Sequence, residues 1–237
     1  MRYIFFLFAL FLVPFSWAQD LTVSDEILNE LETVVVETAT DTFTFRVAYP
    51  QNYSAEKEYK CFIGLSGGNQ SLEIVNYCYA AWFRSGYFDD YITILPVVNT
   101  DTINFRDYNK KRIERLLNTI NEEFKVKQNW LIAGTSNGGV AAFNFVAAFP
   151  TKFEGIITAP GVLSESIQPT SDWIHLKVIL AYGERDEEEW KKGVKLTAKK
   201  LKKKVKWMEL VPLKEQGHIL PISFNVDKMF DPYFLHK

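Results

Sequence analysis

The feature that most constrains the fold is a regular alternation between short apolar runs and longer segments of helical length. Apolar runs of strand length occupy residues 61–65, 92–98, 130–133, 155–159, 178–182 and 205–211. Segments of helical length lie between most of them, at about 71–85, 107–124, 137–148 and 187–204. Strands that are apolar throughout and alternate with helices are typical of a parallel sheet that is covered on both faces.

The segment before these runs has a different pattern. Residues 33–36 are mostly β-branched, a turn signal follows, and then Phe43, Phe45 and Val47 alternate with polar residues. A period of two indicates a half-buried strand, so residues 33–49 are predicted to form a β-hairpin. The predicted fold class is α/β, with a mostly parallel central sheet of about eight strands and helices on both faces. Function is then expected just after the apolar runs, because such sheets bind ligands outside the carboxyl ends of their strands.

Residues 1–18 have the pattern of a secretory signal peptide. Arg2 supplies a positive charge, residues 4–15 form an apolar run, and a small-x-small sequence ends at Ala18. The apolar run is shorter than the roughly 20 residues that a membrane-spanning helix needs. We therefore predict cleavage after Ala18, a single domain over residues 19–237, and a secreted or periplasmic protein with no membrane span after signal removal.

Composition excludes several classes of function. The 237 residues are 47% hydrophobic, which is enough for a sizeable core, and the formal net charge of −2 indicates no nucleic-acid partner. Cys61 and Cys78 are the two cysteines of the chain, too few for a metal site of their own or for a disulfide-rich scaffold. The sequence leaves open whether they form a disulfide or remain buried thiols. No metal or organic cofactor is implied.

A G-x-S-x-G sequence formed by Gly134, Ser136 and Gly138 stands between an apolar run and a helical segment. A nucleophilic serine at such a junction sits on a strained turn, and strand and helix nearly touch, so its neighbours two residues away must be very small. The N–H groups at the helix start then face the reacting atoms. The alternative is a phosphate-binding loop, but the lysine that a P-loop requires does not follow. Ser136 is therefore the predicted nucleophile.

A serine nucleophile needs a general base, and position selects one of the three histidines. His218 follows the last apolar run, which places it at the same sheet edge as Ser136. His175 precedes a strand and is expected at the opposite edge, while His236 is next to the C-terminus. His218 is therefore the predicted base.

The base in turn needs a carboxylate that orients it. Asp186 follows the run at 178–182 and is the predicted partner of His218, while Glu184, nearer the strand end, is the alternative. Asp186 can also cap the helix that follows. The order Ser136, Asp186, His218 along the chain is the order found in the α/β-hydrolase fold.

An oxyanion forms when a serine attacks an acyl carbon, and two N–H donors are needed to stabilise it. One donor is predicted at Asn137, directly after the nucleophile. The other is predicted in the glycine-containing loop after the run at 61–65. Gly68 is the first choice there, and Gly67 or Asn69 are the alternatives.

These motifs give the chain a clear resemblance to α/β-hydrolases of the polyhydroxybutyrate depolymerase, feruloyl esterase and esterase D type. Residues 134–139 match the G-x-S-N-G-G motif of that group, and residues 149–153 resemble its helix end Y-P-x-x-F. The segments leading to Asp186 and His218 match its acid and base segments. The resemblance covers about residues 33–224 and implies a secreted serine esterase without a metal.

Other features of the sequence vary from the pattern of that group or of related lipases. Ser66 replaces the histidine that usually follows the oxyanion strand, which leaves the exact donor in the loop open. The connection over residues 160–177 is short where many lipases place a helical lid, so an open cleft with no large lid is expected. Trp173 in this connection, and residues 104–106 after another strand, could contact substrate, although ordinary loop packing is favoured.

The leading functional hypothesis is a secreted serine esterase that hydrolyses carboxylic esters through an acyl-enzyme intermediate. Its expected partner is a small-molecule ester or an ester linked to a polysaccharide, with acyl and alcohol parts that the sequence does not specify. One alternative is a peptidase or acyltransferase that uses the same triad. The other is a binding protein with a hydrolase fold and no turnover.

Overall fold

The computed structural model describes residues 21–99 and 103–235 of the chain. The predicted signal peptide, residues 1–18, and His236 lie outside the described residues. The strands are β1 Glu32–Glu37, β2 Thr42–Ala48, β3 Lys60–Leu65, β4 Tyr91–Val97, β5 Trp130–Gly134, β6 Phe153–Thr158, β7 Lys177–Gly183 and β8 Trp207–Leu213. The α-helices are α1 Asp25–Leu28, α2 Leu72–Cys78, α3 Lys110–Glu123, α4 Asn137–Ala148, α5 Glu188–Leu201 and α6 Asp227–Leu235.

The described strands form one eight-stranded sheet in the order β1-β2-β4-β3-β5-β6-β7-β8. β2 pairs antiparallel with both β1 and β4, and the remaining neighbours pair in parallel. This topology confirms the predicted α/β fold class. The pairing of β3 with β5 sets Leu65 opposite Gly134, so the loops that follow these two strands start side by side.

Helices cover both faces of the sheet because successive strand residues point to opposite sides. Ile63 of β3 packs in the core beneath α3, α4 and α5, whereas its neighbour Phe62 packs in the core on the side of α2 and α6. The connection between β6 and β7 contains a short 3-10 helix, Ser171–Trp173, as its one regular element. No helix among the described residues is long and apolar enough to span a membrane.

The helices differ from the sequence-based expectation in two places. The helix predicted over residues 71–85 is α-helical only to Cys78 and continues as a π-helix, Tyr79–Phe83, in which all five side chains are buried. α6 was not expected, since Pro232 lies inside it and proline disfavours a helix interior.

Cys61 and Cys78 are free thiols in the cores on opposite faces of the sheet. Burial raises the pKa of both thiols, that of Cys78 to about 12, although the Gly67 N–H acts on Cys78 in the opposite direction. Both side chains are therefore neutral near pH 7. The sequence leaves open whether Cys61 and Cys78 form a disulfide, and in the structure both are buried free thiols.

Candidate active site

The turn from β5 into α4 holds Ser136 in a strained backbone conformation. Its φ and ψ angles are 53° and −120°, a combination that residues with a side chain rarely adopt. The Ser136 N–H donates to the Pro160 carbonyl at 2.7 Å, and the Thr135 N–H donates to the Leu65 carbonyl at 3.2 Å. Hydrogen bonds to the ends of two neighbouring strands thus hold the serine at the carboxyl edge of the sheet.

Glycines on either side of Ser136 are required by close backbone contacts. A Cβ atom on Gly134 would overlap the carbonyl of Gly138, and a Cβ atom on Gly138 would overlap the carbonyl of Leu65. These contacts are the close approach of strand and helix that the G-x-S-x-G pattern predicts.

The structure brings the three residues of the predicted triad together. His218 Nε2 lies 3.0 Å from Ser136 Oγ, and His218 Nδ1 lies 2.9 Å and 3.2 Å from the two carboxylate oxygens of Asp186. The Asp186 side chain is fully buried, whereas that of His218 is 19% exposed. A carboxylate that accepts a hydrogen bond from Nδ1–H keeps the proton on Nδ1. Nε2 is then free to accept the proton of the serine hydroxyl.

The loops that carry the acid and the base are joined by their backbones. The Arg185 N–H donates to the Gln216 carbonyl at 2.9 Å. Arg185 directly precedes Asp186 in the chain, and Gln216 lies two residues before His218. Asp186 Oδ1 also accepts the Glu187 N–H at 2.7 Å. The N-cap of α5 is Glu187 and no side chain caps this helix, so the expectation that Asp186 caps it is wrong.

The other candidates for base and acid lie elsewhere. Glu184 is exposed, and the hydrogen bonds of His218 Nδ1 go to Asp186 instead. A ring nitrogen of His175 lies 2.8 Å from the Phe153 carbonyl at the start of β6, on the edge of the sheet opposite Ser136.

The loop after β3 lies directly against Ser136. A Cβ atom on Gly67 would stand 3.3 Å from the Ser136 Cβ. Gly68 has φ +55°, a left-handed conformation that suits glycine. The N–H groups of Gly68 and Asn137 have no acceptor among the described residues, whereas the Gly67 N–H faces the Cys78 sulfur. The Gly68 and Asn137 N–H groups are therefore free to meet a ligand oxygen beside Ser136. The Asn69 N–H also has no acceptor among the described residues, so the choice of Gly68 as the donor in this loop stays a prediction.

Side chains from two other segments fix the position of this loop. The Gly68 carbonyl accepts a hydrogen bond from Asn104 Nδ2 at 3.0 Å and another from Asn137 Nδ2 at 2.9 Å. Arg106 Nη1 donates to Asn137 Oδ1 at 2.8 Å, and the Arg106 carbonyl accepts from Asn144 Nδ2 at 2.7 Å. Asn104, Arg106 and Asn137 thus connect the Gly68 loop to the start of α4.

Buried Gln70 supports the same loop from below. Its N–H donates to the Gly67 carbonyl at 3.1 Å, its Nε2 donates to the Ser66 carbonyl at 3.0 Å, and its Oε1 accepts the Phe105 N–H at 2.8 Å. The Ser66 hydroxyl is buried and has no hydrogen-bond partner among the described residues. The Gly67 carbonyl and the Gly68 N–H belong to the same planar peptide unit. The hydrogen bond from Gln70 to this carbonyl therefore also fixes the direction of the Gly68 N–H.

Sequence reasoning only partly anticipated these contacts. Trp173 and Phe105 are buried, as the interpretation of loop packing predicts. Asn104 and Arg106 instead reach the loop beside the nucleophile, and no local pattern in the sequence indicates this.

We expect Asn137→Ala to reduce kcat for ester hydrolysis about 10-fold with little change in KM. The substitution keeps the backbone N–H of residue 137 but removes the side chain that joins Gly68 to Arg106, and small displacements of a catalytic group are costly. Steady-state kinetics beside Asn121→Ala, an exposed asparagine on α3, measures the effect. An increase in KM at unchanged kcat would show that the side chain contacts substrate instead.

A cavity of about 260 Å³ opens beside Ser136. It is lined by Leu21, Gly67, Gly68, Ile74, Tyr77, Cys78, Ala81, Trp82, Thr135, Ser136, His218, Ile219 and Leu220. No group of three or more His, Cys, Asp or Glu residues in the described part of the chain could hold a metal ion.

Comparisons with known proteins show the family of the chain and its fold. The model of the Esterase family, described as "Putative esterase", matches residues 37–211. No curated protein matches the sequence closely enough to count as a relative.

Similar solved structures include a thermostable esterase, with TM-score 0.64, 15% identity, and coverage of 80% of this chain and 56% of that chain. The feruloyl esterase module from Clostridium thermocellum, solved with sinapinate, has TM-score 0.62, 12% identity and coverage of 90% and 93%. An S-formylglutathione hydrolase from Agrobacterium tumefaciens has TM-score 0.57, 14% identity and coverage of 80% and 87%. The chain spans a little over half the length of the thermostable esterase, and at these identities the likeness shows the shared fold.

Fold, site and family model together define the class, a serine hydrolase of the α/β-hydrolase fold that acts on ester bonds. Within that class, the chain belongs to the Esterase family. The predicted fold class, enzyme class and family resemblance are confirmed.

Proposed function

We propose that the protein is an exported esterase that hydrolyses carboxylic esters through an acyl-enzyme on Ser136. The observation that supports this most is the continuous chain of hydrogen-bond contacts from Ser136 Oγ through His218 to buried Asp186. His218 Nε2 removes the hydroxyl proton as Oγ attacks the acyl carbon, and Asp186 stabilises the imidazolium. The N–H groups of Asn137 and Gly68 stabilise the oxyanion.

The same groups complete acylation and then carry out deacylation. The His218 imidazolium gives its proton to the departing alcohol oxygen, and the ester C–O bond breaks to leave the acyl group on Ser136. Water then takes the place of the alcohol beside Nε2, loses a proton to it and attacks the acyl carbon. Collapse of this intermediate returns the proton to Ser136 Oγ and releases the carboxylic acid.

The substrate class we propose is a small acyl ester or an ester linked to a polysaccharide. The N-terminal signal pattern supports export, where polymer-linked esters are accessible. Feruloyl esterases are among the structural neighbours. The exposed edge of His218 supports hydrolysis, since water can reach it.

A fluorophosphonate probe tests the proposal without knowledge of the natural substrate. We expect stoichiometric labelling of the folded protein, with the added mass on the peptide that contains Ser136. Labelling is expected to disappear in Ser136→Ala and in heat-denatured protein, because the probe reacts with an activated serine. Folded wild-type protein that takes up no probe would support the binding-protein alternative. Ester cleavage with added alcohol that yields a new ester would support the acyltransferase.

A further inference from the structure

We infer that the cavity beside Ser136 binds the acyl half of the ester, and that this acyl group is apolar and about six to eight carbons long. The inference rests on the proposed function and adds a substrate class to it. Three features of the cavity lead to it: the chemistry of its walls, its position relative to His218, and its size.

The walls of the cavity offer an acyl chain almost no polar contact. α2 and the π-helix that follows contribute Ile74, Ala81 and Trp82, and the segment after His218 contributes Leu220. Among the polar groups, the Tyr77 hydroxyl donates to the Leu220 carbonyl at 3.1 Å. No Asp, Glu, Lys or Arg side chain is among the lining residues, so a charged or sugar-like group would lose its hydration without compensation.

The position of the cavity assigns it to the acyl half rather than to the alcohol. In deacylation, water must occupy the place that the alcohol leaves beside His218 Nε2, so the alcohol side has to be open to solvent. The His218 side chain, which is at the mouth of the apolar cavity among its lining residues, is 19% exposed, so water can reach its ring. The acyl group stays attached to Ser136 until deacylation, and a mostly apolar cavity beside Ser136 suits the half that remains.

The size of the cavity sets the length of the acyl group. A dry cavity of about 150 Å³ can hold a benzene molecule. The cavity here, at about 260 Å³, has room for a six-carbon group and a short extension. The additional carbons of longer acyl chains would lie outside the cavity and would gain little burial.

Two series of esters measure which half of the substrate the cavity binds. One is p-nitrophenyl esters with acyl chains from two to twelve carbons, and the other is acetate esters with alcohols over the same range of length. We expect kcat/KM to rise about two- to fourfold per methylene in the acyl series up to six to eight carbons and then to fall. We expect the alcohol series to be nearly flat.

Two substitutions test whether this cavity is responsible. Ala81→Leu fills the cavity and is expected to shift the optimum at least two carbons shorter. Ile74→Ala widens it and is expected to shift the optimum longer. Ala80→Leu is the matched control, because Ala80 is also buried but does not line the cavity. Thermal unfolding identifies any variant that fails to fold.

The outcomes separate this inference from the proposed function. Ser136-dependent hydrolysis of acetate esters with no acyl-length preference, or with the preference in the alcohol series, would overturn the inference and leave the esterase proposal standing. An optimum that Ala81→Leu and Ile74→Ala leave unchanged in folded protein would also overturn it. Folded wild-type protein that cleaves no ester of either series would contradict both.

Discussion

Replacement of Ser136 by alanine is expected to reduce kcat for a p-nitrophenyl ester by about 10⁴- to 10⁶-fold. The hydroxyl oxygen, 3.0 Å from His218 Nε2, is the atom that we propose forms the acyl bond, so alanine removes the covalent route altogether. The residual rate would come from the free N–H groups of Gly68 and Asn137 and from substrate binding. KM is expected to change little, since Ser136 adds little to binding of the intact ester.

Ser166→Ala is the matched control for this experiment. Ser166 is an exposed serine in the connection between β6 and β7, and its hydroxyl oxygen lies 3.0 Å from that of Ser164. It should retain the wild-type rate. Steady-state and single-turnover kinetics on purified variants measure both, and near-normal hydrolysis by Ser136→Ala would rule out Ser136 as the nucleophile.

Asp186→Asn is expected to lower kcat by about 10⁴-fold near neutral pH. The amide has nearly the shape of the carboxylate, so its oxygen can still accept the Glu187 N–H. It can no longer hold a proton on His218 Nδ1 as a carboxylate does, which favours the wrong tautomer, and it cannot stabilise the imidazolium. The loss should therefore appear in activity and hardly in thermal stability.

Glu184→Gln makes the same chemical change on the neighbouring acidic residue and separates the two assignments. Glu184 is exposed, and we expect its variant to keep wild-type kinetics. A large loss of activity in Glu184→Gln with little effect of Asp186→Asn would reverse the assignment of the acid.

The general architecture could be predicted from the sequence because it depends on local patterns. Continuous apolar runs mark strands that are buried on both faces, and parallel strands bring their carboxyl ends to one edge. Together with the G-x-S-x-G motif, that logic selected Ser136 and His218. They are 82 residues apart in the chain, yet Ser136 Oγ and His218 Nε2 are 3.0 Å apart in the fold. The strained turn at Ser136 was also predictable, since Gly134 and Gly138 leave the space it needs.

The details of the oxyanion region could not be predicted in this way. The sequence favoured Gly68 over Gly67 and Asn69 in one loop, but the contacts that fix this loop come from distant residues. The Gly67 N–H faces the sulfur of Cys78, and the Gly68 carbonyl is held by Asn104 from a separate loop. Hydrogen bonds between segments that are not adjacent in sequence leave no periodic signal.

The placement of Cys61 and Cys78 on opposite faces of the sheet has a consequence for how the protein folds. The strands stand between the two sulfur atoms, so an oxidising compartment cannot bond them without taking the fold apart. The native fold therefore does not depend on a disulfide between these two residues. Folding of the chain therefore requires no enzyme that forms or rearranges a disulfide between Cys61 and Cys78.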